Sequence, residues 1–293
     1  IPVAAEIVLA LQAMVTRRHD VFDPTVVTIA HIEAGARSFN RRMPEEINRI
    51  VCDHCSTWLF SPTVNGIENL IREGFSRDNT APFSATHPGI FHSGDVMYDN
   101  SLYYAEKAEQ NAGILTTHGI EKEGFVLVTI HRDFNTDIPE NLNGIFTALA
   151  EVGEKEKLMI PLHPRTSKLL KDVLTEELYG RISKNTNICI TGPVSFFDMI
   201  LLEKNAHMVF TDSGGVQKEA FFFKKPCVIL RPETEWVELV DSGNAALAGA
   251  DPERIIGAYR HFVNNRSHLQ YPSIYGKGNA AEEICRILRE TCS

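Results

Sequence analysis

At 293 residues the chain is too long for one small domain and suits two medium ones. Hydrophobic residues make up 43% and charged residues 23%, as in a soluble globular protein, and a net charge of -9 with no basic block argues against a nucleic-acid partner. No run approaches about 18 consecutive apolar residues, so no membrane-crossing helix is expected, and six scattered cysteines with no visible signal peptide fit a reducing cytoplasm.

In chain order, "TVVTIAHIEAG" ends a strand, "PEEINRIVCDHCS" has helical periodicity and "TWLFSP" is a second strand. "VNGIENLIREG" is a helix, "GIFHSGD" a third strand, and a helix follows over 98–111. "NAGILTTHGIEKEG" is the linker candidate, which divides the chain into domains 1–115 and 116–293. Cys52-Asp53-His54-Cys55 has ligand-like spacing but no second cysteine pair, so a packed helix is favoured and no metal site is expected.

The second half alternates strand and helix. Strands are expected at "FVLVTI" (125–130), "LMIPL" (158–162), "NICITG" (187–192), "HMVFTD" (207–212), "CVILR" (227–231) and "NAALAG" (244–249). Helix-patterned segments lie between them, which predicts a parallel sheet with helices on both faces. The strands are apolar throughout, as strands covered on both faces should be. Two such α/β sheets are expected to leave a cleft, with ligands outside the carboxyl ends of the strands.

Polar residues collect at those ends. His131-Arg132, His163-Pro164-Arg165, Asp212-Ser213-Gly214-Gly215 and Arg231-Pro232-Glu233-Thr234-Glu235 each follow an apolar run, as Glu33-Ala34-Gly35 does in the first half. The stretch "FTDSGGVQKEAFFFKKP" turns a buried strand into a helix through Ser213, Gly214 and Gly215. A helix starting there offers unpaired N–H groups and a positive dipole end, a seat for a diphosphate; the plainer reading is a serine cap and a glycine turn. Glu219 suits a ribose diol better than a phosphate, which favours a nucleotide ligand. His131, Arg132, His163 and Arg165 are cationic donors suited to phosphate. Glu33 sits past an apolar run, where a carboxylate is costly unless used or paired. Pro44 at a helix start gives Glu45 and Glu46 a structural explanation through the dipole. Arg37, Arg41, Arg42 and Arg49 could hold carboxylates or phosphate.

Together, "HIEAGARSFNRRMPEEINR", "LFSPT", "HSGDVMYD", "VTIHRDFNTD", "PLHPRT", "FTDSGGVQKEAFFFKKPCVILRPETEWVELVDSG" and "YGKGNAAEEI" resemble the non-hydrolysing bacterial UDP-N-acetylglucosamine 2-epimerases over roughly residues 25 to 290. The resemblance implies two Rossmann-like domains of the B-type glycosyltransferase kind, a homodimer with a UDP-HexNAc substrate, and neither metal nor nicotinamide cofactor. It implies interconversion of UDP-GlcNAc and UDP-ManNAc through loss of the C2 proton, anti elimination of UDP and re-addition to a 2-acetamidoglucal. Carried over by motif, Glu33, Glu45 and His131 fall on catalytic positions, Ser213 on the diphosphate and Glu219 on the ribose. Arg49, Arg132, His163, Arg165, Gly214, Gly215, Arg231 and Glu235 complete the expected substrate contacts. The wording around "HRDFNTD" and "RPETEWVE" resembles capsule and O-antigen pathway members, and a sugar modified at C3 or C6 stays open. The family's Gly-x-Arg-Pro and Gly-Asp-Thr motifs are not found before "EAG", so the first domain is expected to be incomplete in this chain. Two alternatives stay open: a UDP-sugar glycosyltransferase of the same fold, and a catalytically silent nucleotide-sugar-binding protein.

Overall fold

The computed structural model of the chain describes residues 29–110 and 113–292. The described strands are β1 (Ala30–Ile32), β2 (Trp58–Ser61), β3 (Gly89–His92), β4 (Val126–Thr129), β5 (Leu158–Pro161), β6 (Ile188–Thr191), β7 (Met208–Thr211), β8 (Cys227–Ile229) and β9 (Ala245–Leu247). The α-helices begin with α1 (Pro44–Cys55), α2 (Val64–Arg72), α3 (Val96–Glu109), α4 (Gly113–Thr117), α5 (Asp133–Thr136) and α6 (Pro139–Val152). They continue with α7 (Pro164–Val173), α8 (Glu176–Lys184), α9 (Phe196–Asn205), α10 (Gly214–Phe222), α11 (Val237–Asp241), α12 (Pro252–Asn265) and α13 (Ala280–Thr291).

The chain forms two compact units. The first ends at Asp99 and resumes at Ser273; the second is Asn100–Pro272. This differs from the division expected near residue 115, for two physical reasons. The supposed linker contains α4, whose Leu115 is buried, and Ile114 packs on Ala105, Ala108, Ile200 and Leu201. At the other end, α13 puts Ile284 and Ile287 against Trp58 and Phe60, and Trp58 Nε1 donates to Thr291 Oγ1 at 2.9 Å. The tail therefore covers the first unit's sheet rather than extending the second unit. The expected strand beginning at "TVVT" and the linker's Asn111 and Ala112 lie outside the described residues, apart from the strand's end at β1.

In the first unit, β1, β2 and β3 lie in that order, all parallel. Helix α1 starts with a proline in its first turn and two acids beside the dipole's positive end, and α2 is capped by Thr63, which accepts from Gly66 N at 3.1 Å.

In the second unit all six strands are parallel, in the order β6-β5-β4-β7-β8-β9. Counted from β4, that is third, second, first, fourth, fifth, sixth, the order of dinucleotide-binding doubly wound sheets. Residues of β4, β5, β7 and β8 are buried on both faces, with Val126, Val128, Leu158, Ile160, Met208, Phe210 and Val228 in one core. The strand order reverses between β4 and β7. There, successive crossovers depart to opposite sides and leave a crevice at the carboxyl ends, so β4 and β7 decide where a ligand can sit.

Candidate functional site

The ends of β4 and β7 meet through Thr129 and Thr211, whose hydroxyls are 2.6 Å apart. One residue beyond Thr211 stands Asp212, fully buried. Its carboxylate accepts from the His131 amide at 3.1 Å, the Arg132 amide at 3.0 Å and Asn135 Nδ2 at 3.0 Å. His131 Nδ1 lies 3.1 Å from Asp212 Oδ1. Asn135 Nδ2 also donates to the Leu230 carbonyl at 2.8 Å, so one buried amide ties together the ends of β4, β7 and β8. Burial pushes the Asp212 carboxyl up, but its bonds to His131, Asn135 and the Arg132 amide outweigh this and hold it below the ordinary carboxylate range. An ionised carboxylate only accepts, so the proton of His131 sits on Nδ1, and Nε2 is left for other chemistry. The ring is 51% exposed, so that edge is open to solvent.

Helix α10 begins beside this cluster. Ser213 is its N-cap: Oγ accepts from Val216 N at 3.4 Å, and its own N–H is held by Thr211 Oγ1 at 2.9 Å. The amides of Gly214 and Gly215 open the helix, where N–H groups have no intrahelical acceptor. A Cβ built on Gly214 would lie 3.6 Å from Trp236 Nε1, 3.7 Å from Glu235 Oε2 and 3.8 Å from Arg231 Nη1, all ordinary contact distances. Among the described residues, nothing crowds that position enough to require glycine.

The floor under this turn is charged and dry. Arg231 Nη1 and Nη2 each donate to Glu235 at 3.1 Å, a buried two-pronged pair. Lys218 is buried with its Nζ 4.1 Å from the centre of the Trp236 ring. Gln217 Oε1 accepts from Thr234 Oγ1 at 2.6 Å, while Gln217 Nε2 is buried without a hydrogen-bond partner among the described residues. Glu219 is half-buried on the same helix. One strand away from the reversal, His163 caps α7 through Arg165 N at 3.3 Å, and Arg165 Nη2 donates to Asp137 at 2.9 Å; both residues are exposed.

The first unit builds a separate arrangement around Glu33. The chain leaves β1 through Glu33 at φ 72 and Gly35 at φ 78. For Glu33 that conformation is strained by on the order of 1 kcal/mol or more. At Gly35 a Cβ would lie 2.0 Å from the Gly66 carbonyl oxygen, so only glycine fits. Arg37, buried, holds the turn in place. It donates to Asp53 at 2.5 Å, to Glu73 at 2.8 and 2.7 Å, and to the Ala36 carbonyl at 2.9 Å. Burial works against its charge, but Glu73 and Asp53 outweigh that and hold the guanidinium protonated. Asp53 also binds His31 Nδ1 at 2.5 Å and the Gly35 amide at 3.2 Å. The next segment is fixed by Glu46, which accepts from Ser38 N and Phe39 N at 2.9 Å each. Arg49 Nη1 stands 3.6 Å from Glu46, and Glu45 faces solvent one residue earlier.

A family model described as UDP-N-acetylglucosamine 2-epimerase matches residues 24–289. The chain belongs to the UDP-N-acetylglucosamine 2-epimerase family. Family members are isomerases. A UDP-N-acetylglucosamine 2-epimerase homolog of Methanococcus maripaludis is 44% identical over 266 residues, covering 90% of this chain and 69% of the relative. A UDP-2,3-diacetamido-2,3-dideoxy-D-glucuronate 2-epimerase of Pseudomonas aeruginosa is 41% identical over 263 residues, covering 89% and 68%. The Methanocaldococcus jannaschii UDP-GlcNAc 2-epimerase, solved with UDP-GlcNAc and UDP, superposes with a TM-score of 0.78 at 32% identity over 98% of this chain and 80% of that one. The α/β architecture with parallel sheets expected from the sequence is thus that of the epimerase family's B-type glycosyltransferase-like structures.

The sequence-predicted residues sort as follows in this epimerase-family chain. His131, Arg132, Ser213, Gly214 and Gly215 gather at the strand-order reversal of the second unit, with Glu219 on the same helix as the glycines. Arg231 and Glu235 are bound to each other. His163 and Arg165 stand at the neighbouring strand end. Glu33, Glu45 and Arg49 belong to the first unit. Asp212 was noted in the sequence only as one of the polar residues after a strand and given no role, although a carboxylate straight after an apolar strand was the very signal used for Glu33. Asn135 had no role either, and Arg37, expected to hold carboxylates or phosphate, does hold carboxylates, but its partners Asp53 and Glu73 lie 16 and 36 positions away and leave no local pattern.

Proposed function

We propose that the chain interconverts UDP-GlcNAc and UDP-ManNAc by inverting C2, with UDP leaving and returning during the reaction. The observation that carries this reading is the cluster at the strand-order reversal. A buried carboxylate orients His131 beside a helix N-terminus that glycine leaves open. This suits a diphosphate that gains negative charge as it departs.

The roles follow from the chemistry. The amides of Gly214 and Gly215, with the Ser213 side chain, hold the diphosphate, and Glu219 accepts from the two ribose hydroxyls. Loss of the proton from C2, the amide-bearing carbon, becomes accessible when the C1–O bond breaks with it. The electron pair of the C2–H bond forms the C1–C2 double bond, and that of C1–O leaves with UDP. His131 Nε2 and the α10 terminus stabilise the growing charge. Glu33 and Glu45 carry the proton, each worth on the order of 10²–10⁴-fold as a positioned acid or base. The strained backbone of Glu33 supports its assignment, because such outliers concentrate at working sites. Arg49, Arg132, His163 and Arg165 are secondary contacts for the anionic substrate. Arg231 and Glu235 act as the buttress behind Gly214 rather than as ligands themselves. No dinucleotide fingerprint of the Gly-x-Gly-x-x-Gly kind stands in the chain, so epimerisation by a bound nicotinamide has no support in the sequence.

A sugar carrying C3 and C6 modifications is the second reading, favoured by the 41% identity to the diacetamido-glucuronate epimerase. Assembly as a homodimer and a place in cytoplasmic polysaccharide-precursor synthesis belong to the same proposal, and light scattering of the purified chain tests the first. The function itself is tested by proton NMR of UDP-GlcNAc incubated with the chain. Growth of UDP-ManNAc anomeric signals to a constant ratio supports it. If only UDP-2,3-diacetamido-glucuronate interconverts, the second reading replaces the first. If neither changes while UDP binds, the silent binding protein stands.

A further inference from the structure

Glu203 on α9 is 1% exposed. Its Oε2 is buried with no hydrogen-bond partner among the described residues, and its carboxyl lies against that of Glu219 on α10, which packs against α9. Two adjoining carboxyl groups, one of them shut off from water, are not both ionised, because like charges at that distance repel and the enclosed one would lack hydration. One must carry a proton. Glu203 is the enclosed member and Glu219 the half-buried one, so the charge belongs on Glu219, where water or a ligand can reach it. An orphaned oxygen is also far less costly on a neutral acid than on an anion.

Among the described residues, the surroundings supply no cation that would ionise Glu203. Lys204, its neighbour on α9, binds Glu109 at 2.9 Å, and Lys218 stacks on Trp236. Helix α4, packed on α9, has no titratable group. Helix α11, packed on α10, contributes the acids Glu238 and Asp241, and the adjoining β7 and β8 contribute only the Cys227 thiol, which burial keeps protonated.

We propose that Glu203 is a permanently protonated carboxylic acid whose O–H donates to Glu219, making it the positioning residue that aims the Glu219 carboxylate at the ribose hydroxyls. This rests on the reading of Glu219 as the ribose ligand and adds a residue that touches no substrate. Burial and the neighbouring Glu219 both push the Glu203 carboxyl well above the ordinary range, which agrees with the assignment. The arrangement has a clear benefit. A lone surface glutamate samples several rotamers and must be ordered when a nucleotide arrives, whereas a glutamate held by a rigid donor is already placed.

The test combines UDP calorimetry with infrared spectroscopy on the whole chain. Glu203→Gln keeps a donor in the same place and is expected to bind UDP within about twofold of the parent. Glu203→Met keeps the volume, loses the donor, and is expected to weaken UDP by roughly three- to tenfold, the worth of one ordinary hydrogen bond, because the effect reaches UDP only through Glu219. The parent is expected to show a carboxylic-acid carbonyl band at neutral pH that disappears in Glu203→Gln. Glu219→Ala is the control for the underlying reading. If it leaves UDP affinity unchanged, the ribose assignment fails. If it weakens UDP but Glu203→Met does not, or if no acid band is lost in Glu203→Gln, the positioning role of Glu203 is overturned. Should Glu203→Met fail to fold, the glutamine variant and the infrared band still decide the protonation.

Discussion

Replacing Gly214 by alanine separates binding from folding at the point where the two explanations of the Ser-Gly-Gly turn diverge. The added methyl would meet its three nearest protein atoms at 3.6–3.8 Å, inside the ordinary van der Waals range. Each such contact is worth about 0.1–0.2 kcal/mol, and alanine in a helix is favoured over glycine by up to about 1 kcal/mol. Thermal stability should therefore hold or rise slightly. A diphosphate seated on the backbone amides of the same turn would still have to accommodate the added methyl. Losing one charge-assisted hydrogen bond costs about 1.5–3 kcal/mol, which is roughly ten- to a hundredfold in UDP affinity. Calorimetric titration with UDP and a thermal melt of the same preparation give both numbers. An unchanged affinity would mean that Gly214 serves only the turn, and the diphosphate seat would have to be abandoned. A collapsed melting temperature would show that the protein itself needs the glycine.

Three further outcomes follow from the geometry. Gly35→Ala puts a methyl against the Gly66 carbonyl at 2.0 Å in a left-handed backbone, so it should cost the first unit roughly 3 kcal/mol or more, read by chemical denaturation. Asp212→Asn sets an amide donor against the His131 and Arg132 amides and should cost about 2–4 kcal/mol at neutral pH. The Asp212 carboxyl titrates lower folded than unfolded, so its stabilisation is present above the ordinary aspartate value and lost as pH falls through its depressed one; the asparagine variant should lack that acid limb in a denaturation series against pH. Glu203 has the opposite sign. Its folded value is raised, so stability is full below the ordinary glutamate value and falls as pH climbs above it; Glu203→Gln should be the more stable form near neutrality, and a parent whose stability is flat over that range would contradict the assignment.

The second unit was legible because its signals are local. The four inner apolar runs are strands buried on both faces, and each ends in residues whose polarity cannot be spent in the core. The reversal between β4 and β7 was not legible, since strand order depends on which crossovers pass which face, yet it decides why His131 and Ser213 share a site while His163 stands one strand away. The boundary near 115 was misplaced for a similar reason. "NAGILTTHG" looks like a linker in composition, but Leu115 and Ile114 find apolar partners distant in sequence, and α13 returns to cover Trp58, with Thr291 233 positions beyond it. Around Glu33, the sequence exposed the odd carboxylate but not the reason for its conformation. That reason is Arg37 bridging Asp53 on α1 and Glu73 beyond α2.

Proton exchange at C2 distinguishes an epimerase most directly from a glycosyltransferase or a silent binding protein of the same fold. UDP-GlcNAc incubated with the chain in D2O should be recovered with deuterium at C2, detected by mass spectrometry and by loss of the H2 signal. Glu33→Gln should bind UDP as the parent does and incorporate none. If the parent binds UDP yet returns UDP-GlcNAc with its C2 proton intact, and the diacetamido-glucuronate nucleotide likewise, the chain does not perform C2 epimerisation.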